Sequence, residues 1–246
     1  MADFYLAKVG IRVRTPARAP FKMKYLFLIG VILLSISACT PVQDNEHTPS
    51  KNTSITLENK YPLHENILTT FFWVGEGETV DNDYITNVES IWDEKWMESY
   101  GGVDDPHNRK GYFPPDFTPK ENPFYFALPY SDTDFDGNRK SNANIVYWYN
   151  ETDTSFSICK NRWIKIIKDN KIAYAQWEDV GPFEVDDHEY VFGSTQPKNE
   201  FNGVGLDVSP AARDYLNLED MDYVDWQFID FEDVPEGPWK TIITIS

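Results

Sequence analysis

Gly203-Val204-Gly205-Leu206-Asp207-Val208-Ser209-Pro210-Ala211-Ala212 joins a strand to a helix. Val204 to Val208 is short and mostly apolar, as a buried strand would be. Ser209 is a good helix N-cap and Pro210 suits the first helical turn. Between Leu206 and Val208 sits an acid, Asp207, two residues before the cap. The alternation of a strand points Asp207 away from the face that Leu206 and Val208 share. In a closed barrel both faces can be covered, and desolvation then raises a carboxyl towards the range of a general acid.

Working outward, a second segment has the same look. Trp177-Glu178-Asp179-Val180-Gly181-Pro182-Phe183 follows a hairpin. Its two strands, Trp163 to Ile167 and Ile172 to Trp177, flank the turn Asp169-Asn170. Leu68 to Val74, Phe124 to Tyr130, Ile145 to Tyr149, Val224 to Ile229 and Ile242 to Ile245 also read as strands. Ile85, Val88, Trp92 and Trp96 recur at spacings of three and four, which predicts an amphipathic helix over 83–100 that stops at Gly101-Gly102. Five prolines over 103–123 predict a long loop. Many short strands with few helices indicate a mainly β barrel or sandwich.

The chain has 246 residues, 41% hydrophobic and 15% aromatic, so a packed core is expected. The net charge is −18, and residues 39–246 alone carry 16 basic and 39 acidic side chains, net −23. Such a surface repels phosphate backbones, which excludes general nucleic-acid binding. The basic excess lies at the start. Met23-Lys24, the apolar run Tyr25 to Leu34, and Ile36-Ser37-Ala38-Cys39 have the order of a secretory signal. The run is too short for a membrane span of ~20 residues. Residues 1–22 read as a start-site extension, 23–38 as the signal, 39–60 as Cys39 with a flexible polar tether, and 61–246 as one domain with an insertion at about 83–123.

Ile36-Ser37-Ala38-Cys39 resembles the lipobox of bacterial lipoproteins. That resemblance implies lipidation of Cys39 and a membrane-anchored envelope protein. Thr40, where an Asp would retain such a protein in the inner membrane, leans towards the outer membrane facing the periplasm. Asp179-x-Gly181-Pro182-Phe183 is similar to the D-R-G-P-F of rare lipoprotein A. Leu206-Asp207-Val208-Ser209-x-Ala211-Ala212 is similar to that family's I-D-L-S-x-A-A and to the F-D-L-S of expansins. Thr70-Phe71-Phe72 resembles the first expansin strand. Together they imply a six-stranded double-psi β-barrel with a helical insertion, and a short helix after the Asp207 strand.

The same resemblance implies peptidoglycan glycan strands as partner, cleaved in the manner of a lytic transglycosylase or bound without cleavage as in expansins. Asp207 would be the acid/base: it protonates the glycosidic oxygen, then takes a proton from the muramic acid C6 hydroxyl. Two departures stand out. The family's His has no counterpart in Phe126-Ala127-Leu128-Pro129-Tyr130, which leaves Asp132 as the expected polar partner, and the Arg of D-R-G-P-F is Val180. Trp73, Tyr125 and Tyr130, with Trp177 beside them, are the expected substrate contacts through sugar–ring stacking, and Asp179 is an expected polar contact or else a structural acid bonded across the hairpin or psi loop.

Other chemistry is not indicated. Asp132-Thr133-Asp134-Phe135-Asp136-Gly137 begins like a calcium loop, but Ala143 stands where the bidentate Glu belongs, so a solvated acidic turn is expected. The four histidines lack metal-ligand spacing, and no metal or cofactor is expected. With Cys39 lipidated, Cys159 would be alone and a buried structural thiol.

Overall fold

The computed structural model describes residues 60–79, 85–199 and 203–245. The signal-like segment, Cys39 and all of the tether except Lys60 lie outside the described residues. Six strands form a closed barrel: β1 (His64–Phe71), β2 (Tyr125–Leu128), β3 (Trp163–Lys168), β4 (Lys171–Val180), β5 (Val204–Val208) and β6 (Met221–Ile229). The order around it is β1-β5-β2-β4-β3-β6. Two pairs, β1 with β5 and β2 with β4, are parallel, and the other four are antiparallel. Exchanging β1, β2 and β3 with β4, β5 and β6 leaves the ring order and the sense of every pair unchanged. The pairing therefore has a two-fold repeat that the residues themselves do not display.

The strands form for ordinary reasons. β3 and β4 are a hairpin, and Asp169 turns it with φ of 52°. On β5, Leu206 and Val208 join the main core with Phe126 and Leu128 of β2 and Trp177 of β4, while Asp207 takes the other face. Helix α3 (Pro210–Leu216) follows as its cap residues dictate. Ser209 Oγ accepts the Ala212 N–H, and Asn217 ends the helix in the left-handed conformation.

The insertion departs from the periodicity. Among its described residues only Trp96–Tyr100 is helical (α1). Residues 85–95 are turns and single bridges, because their backbone groups are taken elsewhere. Asn87 N–H bonds Glu76 O at 2.9 Å, and Asn87 O accepts from Gly75 N–H at 2.8 Å. Ser90 Oγ accepts the amides of Trp92 and Asp93, and the Ile91 N–H goes to Asp179. The apolar residues are still buried: Trp92 packs edge-on to Trp177, and Trp96 packs on Phe72 and Tyr125. The 85–94 segment is thus a strap over the barrel.

Two expected strands are absent. Ala143–Ile145 is a 3-10 turn, and Ile145, Tyr147 and Tyr149 are exposed. Residues 242–245 are irregular and attached through side chains, with Thr244 N–H donating to Gln176 Oε1 at 2.9 Å. A four-residue helix α2 (His188–Val191) covers one end. Among the described residues no helix is long and apolar enough to cross a membrane.

His64 begins β1 with its ring stacked on Trp226 at 4.0 Å and edge-on to Tyr190. Burial lowers its pKa to about 4. The folded state therefore holds it neutral, while the unfolded chain binds a proton below about 6.5. Its contribution is intact above that pH and fades as pH falls towards 4. His64→Phe keeps the stack and removes the titration. Urea unfolding at pH 7 and pH 4.5 should show His64→Phe losing less stability on acidification than the unmutated chain, by up to about 3 kcal/mol. Equal losses would exclude this role.

Candidate functional site

Four side chains lie level across neighbouring strands. Thr70 of β1 pairs with Asp207 of β5, Asp207 with Ala127 of β2, and Ala127 with Asp179 of β4. Residues level with one another project from the same face of a sheet. Phe126, Leu128, Leu206 and Val208 fill the opposite, inner face. The row therefore sits on the outside of the barrel, under the strap. The β4 register slips between Trp177 and Asp179, and that slip brings Asp179 level with Ala127.

Over this row is a cavity of about 690 Å³. Ala127, Asp179 and Asp207 line it from the barrel, and Gly181-Pro182-Phe183 from the chain after β4. The strap contributes Glu89, Trp92, Asp93 and Glu94. A loop opposite contributes Asp134, Phe135 and Asp136. Seven carboxylates line it, and no lysine or arginine does so among the described residues.

Asp207 is 5% exposed and accepts a hydrogen bond from the Thr70 hydroxyl. Asp179 is 9% exposed, and its Oδ1 accepts the Ile91 N–H at 2.9 Å. Burial pushes the Asp179 carboxyl up to about 7. The amides of Ile91 and Val180 oppose that rise, and the charge of Asp207 adds to it. Asp179 and Asp207, one from each quoted segment, thus meet in one cavity. What can be done there is proton transfer to or from a polar ligand held between two carboxyls.

The other expected site residues lie elsewhere. Asp132 is fully buried outside the cavity lining. Its oxygens accept from Ser157 Oγ at 2.5 Å and Ile158 N–H at 2.9 Å, and Arg139 pairs with it. That is the bonding of a structural acid, and it removes Asp132 as a partner of Asp207. Tyr125 is fully buried, its hydroxyl donating to Asp104 at 3.0 Å and accepting from Val74 N–H. Tyr130 is buried edge-on to Phe192, and Trp177 is sealed in the core. None of these three rings has a face for a sugar. Trp73 is half-buried and stacks on Phe71, beyond the cavity lining. The rings that do line it are Phe72, Trp92, Phe135, Phe156 and Phe183.

The acidic turn satisfies itself. Asp134 accepts from the amides of Asp136 and Asn138, and the described residues hold no group of acids, histidines and cysteines able to grip a metal ion. Cys159 is free and buried, and burial pushes its thiol up, away from reactivity. Thr70, Ala127 and Ile91 escaped the sequence reading as site residues. Thr70 stood in the quoted Thr70-Phe71-Phe72, but its position opposite Asp207 depends on a parallel pairing of residues 137 positions apart. Glu178, beside Asp179, is also fully buried, its carboxyl raised by burial and by Glu121. No protein-family model matches this chain, and no curated protein sequence matches it either.

Removing the Asp132 carboxyl leaves a guanidinium, a hydroxyl and an amide without their acceptor. Asp132→Ala should therefore destabilise the fold by about 2–4 kcal/mol in urea unfolding. A loss below about 0.5 kcal/mol, the scale of an ordinary surface change, would argue against a structural role.

Proposed function

We propose that this protein is an envelope lipoprotein whose barrel takes the glycan strand of peptidoglycan into the cavity above Ala127, with Asp207 as the proton-transferring carboxyl. On this reading the barrel has the double-psi topology and is similar to rare lipoprotein A, and Cys39 carries the lipid that holds it to the membrane, facing the periplasm. The observation that carries the proposal is the row Thr70-Asp207-Ala127-Asp179 beneath a cavity of about 690 Å³. That volume falls within the usual range of small-molecule sites and suits a few sugar units.

Three further points support it. The two-fold repeat in strand pairing is what a barrel of two interlocked halves requires. Phe135 and Phe156, both exposed on the lining, provide apolar surface for the CH faces of sugar rings. Among the described residues the lining holds no cysteine or histidine, and its Ser90 hydroxyl oxygen is taken by the Trp92 and Asp93 amides, so the carboxyls are the groups placed for proton transfer.

A second reading, a wall-binding lipoprotein without catalysis, draws on the seven carboxylates of the lining. They repel the carboxylates that peptidoglycan itself carries. The two readings separate in one assay. On the catalytic reading, the full-length chain releases soluble glycan fragments from purified sacculi, and Asp207→Asn lowers release by about 100-fold or more. Sedimentation with sacculi and no released product supports the binding module instead. Neither sedimentation nor release removes both.

A further inference from the structure

We propose that Asp179 is a second catalytic carboxyl of this cavity, giving its proton to the glycosidic oxygen while Asp207 takes a proton from an attacking water. The proposal rests on the reading that a glycan strand occupies the cavity. It changes the chemistry done there, from ring closure by the sugar's own hydroxyl through one carboxyl to hydrolysis by two.

The geometry comes from strand pairing. Ala127 faces Asp179 on one side and Asp207 on the other. All three project from the outer face and line the cavity. Only a methyl group lies between the two carboxyls, so the gap above it is open to a ligand. Two strand spacings separate the aspartate backbones, roughly 10 Å. Carboxyls about 6.5–9.5 Å apart leave room for a water beside the anomeric carbon, whereas a covalent glycosyl intermediate needs about 5 Å. A backbone spacing of that size is closer to the wider arrangement, the one that suits direct displacement by water.

The two acids also have different surroundings. Asp179 is nine-tenths buried beneath the strap, with one oxygen fixed by the Ile91 amide. Its carboxyl keeps a proton near neutral pH, where an ordinary aspartate has lost it. Asp207 is held by the Thr70 hydroxyl from the neighbouring strand. The two carboxyls are thus held by different donors, a backbone amide on Asp179 and a hydroxyl on Asp207.

In the reaction, the bond between the anomeric carbon and the bridging oxygen breaks, and the Asp179 proton moves to that oxygen. The water oxygen bonds to the anomeric carbon from the opposite face, and its proton passes to Asp207. One water is consumed per bond, the anomeric configuration inverts, and a new reducing end forms. Exchange with solvent returns both carboxyls to their starting states.

The test uses the full-length chain and purified sacculi in 18O-labelled water. The expected products are reducing ends carrying one 18O atom, without 1,6-anhydro ends. Asp179→Asn keeps an acceptor for the Ile91 amide, and a melting temperature near that of the unmutated chain reports its fold. It should cut release from sacculi by about 10²–10⁴-fold, yet stay within about tenfold on a 2,4-dinitrophenyl chitobioside, whose leaving group needs no proton. Asp207→Asn should lose both activities. Anhydro ends, an Asp179→Asn variant as fast as the unmutated chain, or equal loss on both substrates would overturn the second carboxyl and leave the glycan reading standing. Absence of any released fragment with the unmutated chain would remove the second carboxyl, and the glycan reading would fall with it only if the chain also failed to sediment with sacculi.

Discussion

The antiparallel pairing of β2 with β5 is the constraint from which the site follows. It sets Ala127 opposite Asp207, and β2 in turn pairs in parallel with β4, bringing Asp179 level on the far side. Two carboxyls from segments far apart in sequence are thereby held on one face with a methyl group between them. Their burial is a consequence of the same pairing, because the inner face is closed by Phe126, Leu128, Leu206 and Val208 and the outer face by the strap. Slipping β2 by one residue would turn Phe126 and Leu128 out of the core and Ala127 into it.

The strap shows how local hydrogen bonding and tertiary packing divide the labour. A helix over 85–95 would have consumed its own amides. Instead Glu76, Ser90 and Asp179 take them, and the segment stays extended enough to roof the cavity. The Ile91 amide on Asp179 ties the roof to the carboxyl beneath it. The buried set Asp104, Arg109 and Tyr125 anchors the other end of the insertion, with Arg109 Nη1 on Asp104 at 2.5 Å and the Tyr125 hydroxyl on the second oxygen. A buried polar network of this kind fixes position more than it adds stability.

Much of the barrel was legible in the residues. β5 with its capped helix, the β3–β4 hairpin and the short β2 each carry a local signal: β-branched runs, a turn pair, a Ser-Pro start. The unusual placement of Asp207 and Asp179 was legible too, since an acid beside apolar strand residues is conspicuous. What local pattern does not encode is which strands become neighbours. The level placement of Thr70, the removal of Asp132 to a separate knot with Arg139, and the burial of Tyr125, Tyr130 and Trp177 all follow from long-range pairing. The 83–100 periodicity misled for a related reason. Burial of Trp92 and Trp96 was correctly implied, but a strap pinned by side chains buries the same residues as a helix would.

The proposed function requires a sugar ligand between Asp179 and Asp207. Carboxyl 13C NMR of the aspartate-labelled chain during titration with an N-acetylglucosamine tetramer tests it most directly. The signals of Asp179 and Asp207 should move together and saturate, while that of Asp132, buried away from the cavity, stays in place. Stationary Asp179 and Asp207 signals at saturating ligand, or shifts confined to other aspartates, would contradict the account.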